Sequence, residues 1–403
     1  MGSKNNEPSI RFIGFNDNWE QRKLGEVVTI KSGMSPSAFE LGDELYVKVD
    51  DLNYSFREQN DTQMKVTENL RCSKVKKGSI VFPKRGAAIM TNKVRIMGIS
   101  GYMDTNMMAL EPVEICTEFL YLFISKTGLY KIADTSTIPQ INNKHIEPYE
   151  IIMPNVDEQM QIGTFFCNLD NLISLHQRKC DNLEIFKKTL LYKLFPKNKE
   201  TKPLYRFNGF LDDWEQRKLG DMGNTFTGLS GKTKEDFGKG EAEFITYLNV
   251  FNNPISNIKL TERVELDKKQ NEVRYGDIFF TTSSETPGEV GMSSVWLDNR
   301  ENVYLNSFCF GYRLKDKVDP FYMAYSLRSN PIRNQFILLA QGISRYNISK
   351  TKAMDIEIML PKLDEQIKLG NIFKEIDNLI TLHKRKLENL DNLKKYFLNN
   401  MFI

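Results

Sequence analysis

Residues 157–176 read DEQMQIGTFFCNLDNLISLH, and residues 364–383 read DEQIKLGNIFKEIDNLITLH. Eleven of the 20 positions agree, at an offset of 207. A second match lies further upstream. Residues 11–26 read RFIGFNDNWEQRKLGE, and residues 206–221 read RFNGFLDDWEQRKLGD, identical at 12 of 16 positions. A repeat of this length is half the chain, too long for a solenoid unit, and marks a tandem duplication of a two-part module.

The downstream half of each module reads as one long helix. Asp157 or Asp364 can cap its start, and no proline interrupts the following stretch. Gly163 and Gly370 lie in the first turns, where a helical glycine costs little. Apolar positions then step alternately by four and three. In the first copy they are Ile162, Phe166, Leu169, Ile173, His176, Cys180, Leu183, Lys187, Leu190 and Leu194. In the second they are Leu369, Phe373, Ile376, Ile380, His383, Leu387, Leu390, Lys394, Phe397 and Met401. That rhythm averages a period of about 3.5 residues, the signature of a coiled-coil seam. Histidine and lysine interrupt both seams at the same slots and would set the register. A helix this exposed needs a partner, and the other copy is available. The fold expected is therefore α+β: two globular domains and two long helices forming an antiparallel coiled coil with pseudo-twofold symmetry. The boundaries drawn are a first domain at 1–155, a helix at 156–196, a linker at 197–205, a second domain at 206–361 and a helix at 362–403. A helical rod of about 34 residues spans roughly 50 Å, against about 34 Å for one turn of duplex DNA.

Between the matched ends the copies diverge, although landmarks survive. Lys77–Phe82 parallels Tyr275–Phe280, Thr137–Asn142 loosely parallels Gly342–Asn347, and Ile151–Pro154 parallels Ile358–Pro361. β-branched and aromatic runs predict strands at 27–30, 45–49, 79–82, 244–250, 278–280 and 308–312. Apolar spacing predicts helices over 118–132 and 321–340. One scaffold would thus carry two different surfaces.

Composition narrows the class. The formal net charge is only +3, but the cations cluster. Residues 65–95 hold nine basic side chains against Glu68, and residues 313–352 hold eight against Asp316 and Asp319. Such blocks in a near-neutral chain fit a protein that meets a polyanion with selected faces. The five cysteines form no C-x-x-C pair, which argues against a disulfide framework or zinc site. Three histidines are too few for a His-rich metal site. His176 and His383 sit on seams with no nucleophile at fixed spacing. No apolar run approaches the roughly 18 residues of a membrane span, and residues 1–8 lack the apolar stretch of a signal peptide, so a cytoplasmic protein is expected.

Reading DNA requires polar side chains in a groove and cations on phosphates. In the first domain Lys84, Arg85, Asn92 and Lys93 flank a glycine turn, and Gln140, Asn142 and Asn143 occupy a late polar loop. In the second, Ser230, Lys232 and Lys234 lie in the stretch GLSGKTKEDFGK (228–239), Thr282, Ser283 and Ser284 follow a strand, and Arg345, Tyr346 and Asn347 fill the matching late loop. The GLSGKT run fails the spacing of a P-loop. Trp19 and Trp214 hold equivalent slots and are assigned to core packing.

These residues together resemble a known family. WEQRKLG, a strand opened by a Lys-Gly or Tyr-Gly pair, a polar loop running into I-I-M-P or I-M-L-P, and DEQ at the head of a long helix, all occurring twice, look like the specificity subunits of Type I restriction-modification systems. The resemblance runs from about residue 11 to 403. It implies two target-recognition domains, each reading half of a bipartite, asymmetric site in double-stranded DNA. It also implies docking of two modification (methyltransferase) subunits and of restriction (translocase and endonuclease) subunits. S-adenosylmethionine, ATP and magnesium would then belong to those partners, with no cofactor or metal in this chain. The absence of an Asn/Asp-Pro-Pro-aromatic motif and of a Walker A sequence accords with a noncatalytic role. The alternatives are a DNA methyltransferase or nuclease with an unrecognised motif, or a coiled-coil scaffold that never meets DNA.

Overall fold

A computed structural model describes residues 7–134, 137–197 and 200–403. The first six residues of the domain drawn at 1–155, and part of the linker drawn at 197–205, lie outside the described residues. The chain divides into two compact units. One comprises residues 1–177 with 385–403, the other residues 178–384.

Each unit uses its copy of WEQRKLG in the same way. In the first, Glu20–Lys23 forms a strand antiparallel to Glu150–Met153, and in the second Glu215–Lys218 pairs with Glu357–Leu360. The preceding tryptophans, Trp19 and Trp214, are each only 3% exposed. Trp19 meets Phe119 and Phe402 edge-on, and Trp214 meets Phe195 and Tyr322. Both therefore act as core anchors rather than stacking platforms. The arginine that opens the motif closes each unit from outside. Arg11 grips Glu158 through two bonds of 2.8 Å, and Arg206 grips Glu365 at 2.8 and 2.7 Å. The glutamine of each DEQ is buried as a linchpin. Gln159 donates to Pro154 O and accepts from Cys116 N, while Gln366 donates to Pro361 O and accepts from Asp319 N.

The first unit holds a five-stranded sheet, ordered Val28–Ser32, Met107–Pro112, Ile80–Pro83, Arg95–Met97 and Glu58–Gln59. A three-stranded sheet follows the order Met64–Val66, Leu41–Val47, Gly101–Met103. In the second unit a four-stranded sheet runs Gly223–Thr227, Cys309–Leu314, Ile278–Thr281, Ser293–Val295, beside a three-stranded sheet Thr261–Val264, Phe237–Ile245, Val303–Leu305. Three sequence-based elements need correction. The strand expected at 244–250 ends at Ile245, because Thr246 caps a short helix, Tyr247–Asn252, by accepting from Asn249 N. The helix expected at 118–132 breaks at Gly128, whose φ of 86° no helix accommodates, into Thr117–Thr127 and Leu129–Ile132. The helix expected at 321–340 is two, Pro320–Ser326 and Asn330–Leu339, the second with Pro331 in its first turn.

The long helices are Val156–Lys193 and Leu363–Asn400, 38 residues each. Asp157 and Asp364 lie within the first turn rather than at the cap, and Asn155 accepts the Glu158 N–H in the first copy. The predicted seam is the face that turns inward. Ile162, Phe166, Leu169, Ile173, Cys180 and Leu194 are buried, as are Leu369, Phe373, Ile376, Ile380 and Met401. His176, Leu183, Lys187 and Leu190 are half-buried, as are His383, Leu387, Leu390, Lys394 and Phe397. Within the first unit, the start of one helix meets the end of the other antiparallel: Phe165 packs edge-on to Phe397, and Phe166 lies against Phe402. Within the second, Phe195 stacks on Phe373, and Lys384 bonds Glu184 at 2.7 Å. The seam lysines answer aspartates at matching positions. Lys394 bonds Asp170 at 2.6 Å in the first unit, and Lys187 bonds Asp377 at 2.5 Å in the second. Gly163 and Gly370 are needed for more than low helical cost: a Cβ there would lie 2.4 Å from Glu118 Cβ or 2.6 Å from Asp319 Oδ1.

Candidate nucleic-acid interface

Folding redistributes the basic blocks. Of the cations in 65–95, Lys65 pairs with Asp61, Lys74 with Glu44 and Glu68, and Lys76 with Glu111. Arg95 turns inward to the carbonyls of Leu52, Ser55 and Val94, and burial lowers its pKa. In 313–352, Arg313 pairs with Asp277. Arg328 and Arg333 donate to backbone carbonyls of Ser293, Val250, Phe251, Gly291, Gly288 and Val290. Burial lowers both, Arg328 to about 9 and Arg333 to about 10. Arg95, Arg328 and Arg333 are therefore internal scaffolding, while Lys65, Lys74, Lys76 and Arg313 are paired with carboxylates. Cations without such partners among the described residues stand together at one edge of each unit.

In the first unit that edge forms where the chain leaves strand Ile80–Pro83. Ile141 N donates to Lys84 O, Arg85 bridges Gln140, and Gly86 N donates to Pro139 O. The glycine turn and the late loop are thus one two-stranded platform. Arg85 is exposed and its guanidinium makes no hydrogen bond or ion pair among the described residues. Lys84 is half-buried, and burial, then Arg85, lowers its ammonium below the usual lysine range while Asp104 opposes. Gln140, Asn142, Asn143 and Lys144 continue along the platform, with the Asn142 N–H on His145 Nδ1. Asn92 and Lys93 do not join it. Asn92, left-handed at φ 48°, donates to Ser125 O and accepts from Leu129 N, pinning two helices. Lys93 bonds Asn53.

In the second unit the equivalent platform follows strand Ile278–Thr281. Ile348 N donates to Thr282 O, and Ser283 and Ser284 pair with Asn347 and Tyr346. These bonds correct the loose sequence parallel by two residues: Ile141 corresponds to Ile348, so the offset of 207 extends upstream from the helix. The hydroxyls of Thr282 and Ser284 are engaged, by Phe308 O and Glu289, and Ser283 is 8% exposed. Cations stand instead on either side of the returning strand Tyr346–Asn347, Arg345 just before it and Lys350 and Lys352 in the short helix after it. Beside Arg345 lies a groove of about 320 Å³ lined by Tyr247, Leu248, Phe251, Phe308, Glu285 and Glu289. The stretch 228–236 is a closed corner elsewhere. Ser230 exchanges bonds with Gln270, Lys232 pairs with Asp267, and Lys234 begins a single 3-10 turn. Hydrogen bonds from Gln270 and Lys269 N, and then Lys232, hold the Asp267 carboxyl at about 2.

Sequence reasoning missed Glu285, Glu289, Tyr247 and Phe308, which lie in segments with no shared motif. Lys144, Lys350 and Lys352 were missed as well, because the offset of 207 sets Lys144 opposite Thr351, and Lys350 and Lys352 opposite Asn143 and His145. Among the described residues no cluster of His, Cys, Asp or Glu could hold a metal ion, and no helix is long and apolar enough to cross a membrane.

The chain is thus a duplicated scaffold with one polar platform per copy and a long helix at the end of each copy. Residues 16–185 and 211–392 both match the family described as the Type I restriction modification DNA specificity domain, and the chain belongs to that family. It is 26% identical over 320 residues to the Type I restriction enzyme MjaVIII specificity subunit of Methanocaldococcus jannaschii, covering 75% of this chain and 74% of that one. The putative Type I restriction enzyme MjaX specificity subunit of the same organism is 26% identical over 326 residues, covering 73% and 69%. In fold it resembles the crystal structure of the Type I restriction-modification S subunit from M. genitalium, with TM-score 0.62, 15% identity and coverage of 98% and 99%. A chain from a study of complex assembly and conformational transition of the type I R-M system gives 0.54, 14%, 95% and 97%.

Proposed function

We propose that the chain is the noncatalytic DNA-reading subunit of a Type I restriction-modification complex, each unit reading one half of a split, asymmetric site. The observation that carries this is the platform. One scaffold places Lys84 and Arg85 just after the outgoing strand in the first unit, and Arg345, Lys350 and Lys352 just before and after the returning strand in the second. The same backbone thus offers unlike chemistry to the base edges, and two unlike readers require two unlike half-sites. The helices supply docking. Met160, Leu172 and Leu175 are exposed on the first helix, and Ile367, Leu379 and Leu382 stand exposed at the same positions of the second. Exposed apolar residues duplicated in register fit two copies of one partner, the modification subunit. Restriction subunits join the same complex. S-adenosylmethionine, ATP and magnesium are assigned to the partners, and the assembly to the cytoplasm with its DNA. Mapping methylated adenines in cells that carry this chain with its partner subunits tests the reading. One split motif with a constant gap is the result required, and a short continuous motif sinks it.

A further inference from the structure

The return loop of the second unit differs from the rest of that unit's cationic surface. Gln341 and Asn347 exchange bonds of 3.0 and 2.8 Å, closing a hairpin whose tip carries Gly342, Ile343, Ser344 and Arg345. Gly342 is required there, since a Cβ would lie 2.0 Å from Arg345 O. Ile343 stands fully in solvent at 97% exposure. Arg345 lines the groove together with Glu285, and both side chains are exposed without a hydrogen bond or ion pair among the described residues. Beneath them Glu289 is fixed by the hydroxyls of Ser284 at 3.0 Å and Thr286 at 2.9 Å. Tyr247, anchored through its hydroxyl to Ser283 O at 2.7 Å, stacks on Phe251 to form an aromatic wall.

The charge balance decides what such a site takes. Two carboxylates beside one guanidinium repel a phosphate, so this arginine is poorly placed as a backbone contact. A base edge is different, because it offers acceptors and an amino group together. Guanine presents O6 and N7 to an arginine fork, and cytosine presents its N4 amino group to a carboxylate.

We propose that Arg345 and Glu285 form a base-reading pair for a G·C pair in the half-site of the second unit, guanine on the arginine and the cytosine amino group on the glutamate. This deepens the proposed function and rests on it. Ile343 at the tip supplies the apolar contact that a neighbouring thymine methyl would meet.

The test uses the complete complex with its partner subunits, comparing wild type with Arg345→Ala, Arg345→Lys and Glu285→Ala by methylation mapping. Binding to duplexes altered one base pair at a time gives a second readout. Arg345→Ala is expected to make one G·C position of one half-site degenerate, with discrimination falling roughly ten- to hundred-fold. Lysine does not restore it, because it lacks the fork. Glu285→Ala loosens the same position, which keeps the test open if the arginine variant fails to assemble, and the other half-site stays unchanged. An unaltered motif read more weakly at every position would make Arg345 a phosphate contact and overturn the pair. So would a second half-site without a G·C pair. A wild-type complex with no split motif would instead remove the proposed function, and this inference with it.

Discussion

Arginine in this chain works in opposite ways at different positions. Glu158 and Glu365 have side chains 0% and 1% exposed, and each is neutralised by a bidentate arginine. Removing one partner of such a pair leaves a buried charge, at a cost of about 3–5 kcal/mol. Arg11→Ala and Arg206→Ala should therefore lower the denaturation midpoint sharply. Arg85→Ala, on an exposed and unpaired side chain, should stay within about 0.5 kcal/mol of wild type in the same unfolding experiment. Asn92 separates the two roles. Its amide holds Ser125 O and Leu129 N, so Asn92→Ala should destabilise by about 1–3 kcal/mol while leaving the methylation motif unaltered. A changed motif with unchanged stability would return it to the reading surface. The sequence could not make this distinction. A basic cluster counts only the acids beside it in the chain, whereas Glu44, Glu111 and Asp277 reach Lys74, Lys76 and Arg313 from elsewhere.

Among the elements, the long helices were the most legible. A 4-3 apolar rhythm depends only on which face is buried, and every predicted seam position is buried or half-buried. Shorter strands and helices were legible in place but not in extent, because one capping hydroxyl or one glycine overrides a local apolar run, as Thr246 does for a strand and Gly128 for a helix. The lysine interruptions of the seam have a role that spacing alone could not assign: Lys187 finds Asp377, and Lys394 finds Asp170. Each pair is expected to show a coupling energy of about 0.5–3 kcal/mol in a double-mutant cycle, because the charges share one partly buried contact. Additive single variants would show that register is held by the apolar positions alone. Phe166→Ala and Phe373→Ala, which empty fully buried sites, should each lose about 3–5 kcal/mol in the same measurement.

For the whole molecule, the duplication was plain from two matched segments, while the polar platform of each unit was not. Lys84 and Arg85 lie far in sequence from Gln140, and only the strand pairing shows them on one platform. Exchanging residues 12–155 for the corresponding part of another family member should change one half of the methylation motif and leave the other as it was. Alteration of both halves would contradict independent reading. Binding of the complex should weaken steeply with salt, in proportion to the phosphates neutralised, and a flat salt response would speak for a scaffold without a DNA role.

Phe402 lies stacked on Phe119 and edge-on to Trp19, within the core of the first unit. Residues 178–384, an entire second unit, are made between the two parts of that core. At roughly 5–20 residues per second, a ribosome needs about 10–40 s to cross that interval. Throughout it the newly made first unit has a gap where Met401 and Phe402 belong, and its aromatic face is open to chaperones or to neighbouring nascent chains. Speed of synthesis across residues 178–384 therefore bears directly on the yield of the unit that precedes them.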